Sequence, residues 1–381
     1  MPRPISLTLS ARALTHNLAV VRRHLAAAAQ DHARVDASVC APSIWAVIKA
    51  DAYGHGIERA VRAFSEAQGL AMLDFAEAVR AREAGWGGPI LMLEGFFEPA
   101  DIELLDRYHL TTAIHCQAQL DMLAGAHVSR RIDAFVKLNS GMNRLGFLPH
   151  AYRAAYAEAQ ALQQRNILGQ VGKMTHFATA DGPEGVVTQM AVFNATVQGL
   201  PGPVSVCNSA ATLRFAEVAL SGQPDQASWV RPGICLYGAT PFDDVSAAEL
   251  GLLPAMTLRS RVIGVQQLKI GDRVGYGGRF SAQSAMRVGV VACGYADGYP
   301  RHAEDGTPVR VAGRLTRLVG RVSMDMLMVD LTNMPEVEVG APVVLFGQDG
   351  PAVDDVARYS DTIGYELLCA MAPRVPRRAI D

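Results

Sequence analysis

From Trp45 to Phe75 the chain reads WAVIKADAYGHGIERAVRAFSEAQGLAMLDF. The run WAVIK (Trp45–Lys49) is apolar up to its final lysine, which suits a strand buried on both faces. Ile57–Gln68 then sets Ile57, Ala60, Val61, Phe64 and Ala67 on one helical face, with Glu58, Arg59 and Arg62 largely off it. LAMLDF (Leu70–Phe75) is a second β-rich run. Strand, helix and strand in succession is the βα pattern of a parallel sheet.

Outward from this unit the pattern recurs. Further strands are predicted at Ile90–Glu94, Leu110–His115, Ile132–Asn139, Gly172–Ala178, Val204–Asn208 and Trp229–Leu236. Helical patterns occupy Pro149–Arg165, Pro183–Gln198 and Ala210–Leu220, the first with proline at its start. Eight such strands over roughly 200 residues predict a closed (β/α)8 TIM-like barrel spanning 12–245, with an open doubly wound sheet as the competing arrangement. After Asp243 the character changes. MTLRSRVIGVQQL (256–268), MRVGVVACGY (286–295), RLVGRVSMDMLMVDL (317–331) and APVVLFG (341–347) are strands punctuated by Gly, Asp and Pro. With one short helical stretch near Val353–Ser360, they predict a mainly β C-terminal domain over 246–381. Residues 1–11 contain a strand, PISLTLS, that could pair with either domain; we assign it to the second.

Composition narrows the function. Lys and Arg number 35 against 37 Asp and Glu, a net charge of −2, which excludes a broad basic footprint for nucleic acid. No apolar run approaches the ~18 residues of a membrane span, and the start MPRPISLTLSARAL has no signal-peptide pattern. The six cysteines have no CxxC spacing and fit reduced thiols, so a cytoplasmic protein is expected.

In a barrel of this kind, polar residues at the carboxyl ends of strands face the active-site mouth. Here these are Lys49, Lys137, Asn139, His176, Asn208, Ser209 and Arg231. Singly, each is more often a solvated or packed side chain than a catalytic one; together they converge on one rim. Lys49 leaves a buried strand for a glycine-containing turn, where desolvation lowers an amine's pKa and leaves it nucleophilic toward a carbonyl. The last two strand ends, Asn208-Ser209-Ala210 and Arg231-Pro232-Gly233-Ile234, suit a small phosphate. There is no dinucleotide fingerprint, no GxxxxGK[ST] loop, no HExxH metal motif and no GxSxG elbow, so no metal site is expected.

Several stretches together resemble the alanine racemases, which use pyridoxal 5′-phosphate (PLP). AVIKADAYGHG (46–56) resembles that family's cofactor-lysine motif. VKLNSGMNRLGF (136–147), MTHFATAD (174–181), CNSAATLR (207–214) and VRPGICLYG (230–238) follow in the family's order. So do VGYGGRF (274–280), GYADGYPR (294–301), GRVSMDMLMVDL (320–331) and TIGYELLCAMAPRVPR (362–377). The resemblance covers essentially the whole chain and implies PLP-dependent interconversion of L- and D-alanine. D-alanine would be supplied for peptidoglycan, or the enzyme would serve alanine catabolism.

By this resemblance Lys49 holds PLP covalently and then acts as the base for the D enantiomer. Tyr276, reaching over from the second subunit of a homodimer with shared active sites, is the base for the L enantiomer. Racemisation needs such a pair because the proton leaves one face of the α-carbon and returns on the other. Tyr53, Ser209, Gly233, Ile234 and Tyr365 are implied phosphate contacts. Arg144 lies near the cofactor oxygen and the substrate carboxylate. Arg231 faces the pyridine nitrogen, and through His176 it favours the tyrosinate. Met324 contacts substrate, Tyr295 is an inner gate, and Asp181, Arg301 and Arg321 match outer channel positions. Lys137 matches a lysine that many members carbamylate, although Asn139 stands where others have Asp. The alternatives are a related racemase acting on serine or lysine, a decarboxylase of the same barrel class, and a non-catalytic PLP-binding protein. An arginine at 231 counts against the decarboxylase, and the long β domain counts against the non-catalytic protein.

Overall fold

The computed structural model describes residues 3–34, 39–220 and 227–380. It begins with β1 (Ser6–Ser10) and α1 (Ala11–Ala33), where Ser10 Oγ accepts the Ala13 N–H and caps the helix. Eight parallel strands follow: β2 (Ser43–Val47), β3 (Gly69–Met72), β4 (Ile90–Met92) and β5 (Thr111–Ile114), then β6 (Ile132–Lys137), β7 (Leu168–Met174), β8 (Val204–Ser205) and β9 (Ser228–Val230). Each pairs with the next, and β9 returns to β2 through Ser43↔Trp229 and Ile44↔Val230. The sheet is therefore a closed barrel, and the open-sheet alternative is excluded. Trp45 of β2 stacks on Trp229 of β9 at 4.2 Å and meets Phe135 of β6 edge-on at 6.5 Å, so aromatic rings fill the interior between opposite walls.

Helices lie between the strands: α2 (Lys49–Tyr53), α3 (Ile57–Ala63), α4 (Phe75–Glu83), α5 (Pro99–Arg107), α6 (Gln117–Ala124), α7 (Pro149–Gln164), α8 (Val187–Val197) and α9 (Ser209–Arg214). All eight barrel strands stop earlier than the sequence reading suggests. β2 ends at Val47 rather than Lys49, β8 at Ser205 rather than Asn208, and β9 at Val230 rather than Leu236. Residues Ile234–Tyr237, read as the end of a strand, form a buried 3-10 turn. A buried apolar run marks burial, and it does not distinguish a ladder from a turn packed beneath a helix.

The C-terminal domain is mainly β. It comprises β10 (Met256–Leu268), β11 (Arg273–Val274), β12 (Phe280–Ser281), β13 (Met286–Val291), β14 (Pro308–Val311), β15 (Arg314–Arg317), β16 (Leu327–Asp330) and β17 (Pro342–Phe346). Helices α10 (Val353–Arg358) and α11 (Gly364–Cys369) precede the final strand β18 (Arg377–Ile380). The main sheet runs β15-β14-β17-β10-β1-β18, with β13 and β16 attached through β10. The first strand thus lies between β10 and β18; residues 1–2 of the N-terminal stretch fall outside the described residues. The hairpin β11–β12 is separate and carries Tyr276 at its tip. Among the described residues no helix is long and apolar enough to cross a membrane.

Candidate active site

At the carboxyl mouth of the barrel is a cavity of about 250 Å³. Lys49, Tyr53, Arg144, His176, Ser209, Arg231, Gly233, Ile234 and Tyr365 all line it, together with Val47, Leu73, Leu93, Glu94, Leu145 and Asn208. Strand ends supply most of these residues, and α11 of the C-terminal domain supplies Tyr365.

Lys49 opens a backbone turn that L-residues rarely adopt. Ala50, Asp51, Ala52 and Tyr53 all have φ between 50° and 56°, the left-handed region, which costs roughly 1–2 kcal/mol per residue. Side chains from outside the turn hold it. Glu77 Oε1 accepts the Asp51 N–H at 2.5 Å. His55 Nδ1 faces the carbonyls of Ala52 and Tyr53 at 3.0 and 2.9 Å, so that nitrogen carries the proton. Burial pushes the His55 pKa down to about 4, which keeps the ring neutral. The Tyr53 ring stacks on Tyr237 at 4.5 Å, and the Tyr237 hydroxyl donates to Val47 O at 2.8 Å. The turn is thereby fixed to the end of β2, and Lys49 with it. Burial, reinforced by Arg144, lowers the Lys49 pKa, while Glu94 opposes the shift.

Arg231 is buried and both terminal nitrogens of its guanidinium are engaged. Nη1 donates to Ser205 Oγ at 2.7 Å and Val206 O at 3.2 Å; Nη2 donates to Thr175 O at 2.5 Å and His176 Nδ1 at 3.4 Å. Burial lowers its pKa to about 10, so it stays cationic at neutral pH. Arginine only donates, so His176 Nδ1 must accept and its proton sits on Nε2. Burial, then Arg231, holds the His176 pKa well below the usual range, and the imidazole is neutral. Where the last two barrel strands end, Asn208 caps α9 by accepting the Ala211 N–H at 3.0 Å, and Ser209 Oγ accepts the Gly233 N–H at 2.8 Å. A Cβ at Gly233 would overlap the Tyr53 hydroxyl, so only glycine lets these two walls meet.

Lys137 ends β6 and is buried beneath the mouth rather than lining it. Burial, then Arg231 and Arg144, pushes its pKa down to about 8. Asn139 organises the following loop, its Oδ1 accepting N–H groups from Gly141 at 3.1 Å and Asn143 at 3.0 Å. An amide oxygen here does the local work a carboxylate would do, without the charge.

The remaining expected residues do not meet this cavity. Tyr276 is 72% exposed at the hairpin tip, and Tyr295 and Met324 are 39% and 52% exposed. They nevertheless lie close together on the C-terminal domain. Gly275 packs against the Arg321 backbone, and the Tyr295 and Ala296 N–H groups donate to Ser323 O and Met324 O. Arg301 lies on the same domain, while Asp181 lines a separate pocket beside Glu184 and Asp243. Sequence reasoning missed Glu94, the only acid among the cavity's lining residues described. It closes the predicted strand Ile90–Glu94, so the strand-end rule could have found it.

Two family models match the chain: "Alanine racemase, N-terminal domain" over residues 9–241 and "Alanine racemase, C-terminal domain" over 255–379. Among curated relatives, alanine racemases of Bordetella avium (strain 197N) and Bordetella petrii are 68% and 66% identical, each over 99% of both chains. Of solved structures, the biosynthetic alanine racemase of Pseudomonas aeruginosa superposes with TM-score 0.88 at 40% identity, covering 100% of each chain. That of Acinetobacter baumannii gives TM-score 0.86 at 34% identity, over 99% of this chain and 100% of its own.

Proposed function

The chain belongs to the alanine racemase family, isomerases that interconvert L- and D-alanine, and we propose that it does so with PLP in the barrel cavity and two proton carriers on opposite faces of the substrate. The observation that carries this reading is the cavity itself, where a desolvated lysine, two arginines and the hydroxyl-bearing side chains of Tyr53, Ser209 and Tyr365 converge.

The residues suit the cofactor. A phosphate dianion needs donors and compensating charge. Ser209, the Ile234 backbone, Tyr53 and Tyr365 offer the donors, with Gly233 beside them holding the Ser209 hydroxyl through its N–H, while Arg144 and Arg231 supply positive charge in the same cavity. When bound, PLP supplies an aldehyde for the amino group and a conjugated ring that draws the electron pair from the α-carbon. Lys49 would hold the aldehyde. Arg231, already tied by four donor contacts, would meet the ring nitrogen as a cation that keeps its own proton.

Lys49 carries the proton on one face of the α-carbon, and its lowered pKa lets the amine accept it. The partner subunit's Tyr276 carries the proton on the other face. With Nδ1 facing Arg231 and its proton on Nε2, His176 would donate to that phenol oxygen. Arg144, Met324 and Tyr295 would bind and select the substrate. A homodimer with shared sites is supported by Tyr276, Tyr295, Met324 and Met326 all standing exposed on the C-terminal domain, where burial against a partner would cover them. We further place the protein in the cytoplasm, consistent with cysteines that are scattered along the chain with no CxxC spacing. Lys137, with an amine pKa near 8, is the proposed carbamate.

Exchange of the α-proton for solvent deuterium, followed from each enantiomer in Tyr276→Phe holoenzyme, tests the assignment. Exchange from L-alanine should be lost while exchange from D-alanine and PLP absorbance persist. Unchanged rates from both enantiomers would remove Tyr276 from the mechanism, and faster turnover of lysine than alanine would overturn the substrate.

A further inference from the structure

Two loops of the C-terminal domain, 294–298 and 323–326, carry Tyr295 and Met324. They are zipped together by the Tyr295 N–H to Ser323 O and the Ala296 N–H to Met324 O bonds, both 3.0 Å. A Cβ at Gly294 would collide with the Ser323 and Met324 carbonyls, so the two backbones are in closest contact there.

Behind this seam lies a charge cluster with no part in the chemistry proposed above. Asp297 is fully buried. Its carboxylate accepts Arg3 through two bonds of 2.8 and 3.0 Å, Arg374 Nε at 2.8 Å, and the Gly294 N–H at 2.9 Å. Each arginine also reaches the second loop. Arg3 Nη2 donates to Asp325 O and Arg374 Nη2 to Asp325 Oδ1, both at 2.6 Å. Arg3 precedes β1 and Arg374 precedes β18, and these strands pair in parallel, so the two guanidinium groups arrive side by side. Ala372 N–H also donates to Asp297 O at 3.1 Å, which ties the cluster to the segment following α11.

Burying a carboxylate is costly, and packed apolar residues commonly stabilise a site as well. What the ion cluster adds is fixed geometry: each arginine is bonded to both loops at once. We propose that Arg3 and Arg374 are positioning residues which, through Asp297 and Asp325, set the gap between Tyr295 and Met324 and so the size of amino acid admitted. This rests on the reading of Tyr295 and Met324 as residues that select the substrate.

The test compares kcat and KM for alanine and serine in full-length holoenzyme. Asp325→Asn weakens the Arg374 tie and leaves the Asp297 pairs intact. It should lower the alanine-to-serine ratio of kcat/KM several-fold, mainly through a higher KM for alanine. Arg374→Met should lower that ratio about tenfold, the scale of discrimination by one small group. Arg374→Lys should restore part of it. A purely structural role would lower thermal stability and reduce both substrates alike. Unchanged KM and unchanged ratio in folded Asp325→Asn or Arg374→Met would overturn the proposal; if Arg374→Met does not fold, Asp325→Asn decides. Tyr295→Ala separates the two levels. If it relaxes the ratio while the clasp variants do not, the clasp alone is refuted. If it too has no effect, the channel reading falls and the clasp proposal with it.

Discussion

Lys49 and Lys137 are both deprived of water by the barrel, yet their surroundings differ. Lys49 opens into the cavity beside Glu94, which offsets part of its burial. Lys137 lies deeper, with Arg231 and Arg144 adding to the effect of burial, and its pKa falls to about 8. Only a neutral amine adds carbon dioxide, releasing a proton and becoming an anion. Carbamate on Lys137 should therefore increase as pH rises through 8 at fixed carbon dioxide pressure, and decline below it. Carbon-13 NMR under labelled carbon dioxide checks this; absence of the resonance, or its persistence in Lys137→Ala, would reject the carbamate. Legibility at this scale followed charge and position. Lys49, His176, Ser209 and Arg231 could be read from residue type at the ends of apolar runs. Asn139 needed coordinates, because only the loop's own N–H groups show what its amide does.

Helix α2 is the element whose conformation runs against its residues. Ala50, Asp51, Ala52 and Tyr53 have no local reason to be left-handed, and Gly54 (φ 78°) is the only residue in that stretch that favours it. Glu77 on α4 holds one N–H of the turn from across the fold, and His55, just past it in the chain, returns to two of its carbonyls. The usual penalty for glycine is thus reversed here. Ala50 is exposed and loses no burial, so Ala50→Gly should raise stability by about 1 kcal/mol. Chemical denaturation measures the shift. A fall in midpoint would mean that the turn is not strained, and a drop in kcat alongside the gain would show that the strain serves to hold Lys49. The strand ends make the same point: hydrophobic runs located β8 and β9, but where each ladder stopped depended on neighbours across the barrel.

At the scale of the whole molecule, the cavity holds Lys49 while Tyr276 projects from a separate hairpin. Lys49→Ala and Tyr276→Phe homodimers should each be inactive or one-sided, since each lacks one proton carrier at both sites. If the sites are shared, subunits mixed at random form half heterodimers, each with one intact site, and recover about a quarter of wild-type racemisation. No recovery after verified exchange of subunits would place both carriers on one chain. Alternation of buried strands with helices, and the turn-rich run beyond Asp243, were enough to predict eight parallel βα units followed by a β domain, because burial period is written residue by residue; that the sheet closes was decided by the pairing of β9 with β2. Strand-end chemistry likewise marked the lysine and the arginine of the cavity. The left-handed turn, the inward reach of α11 and the Arg3–Asp297–Arg374 cluster came only with tertiary structure. Each joins groups far apart in the chain, and no local pattern of residues encodes a contact whose partner is chosen by packing.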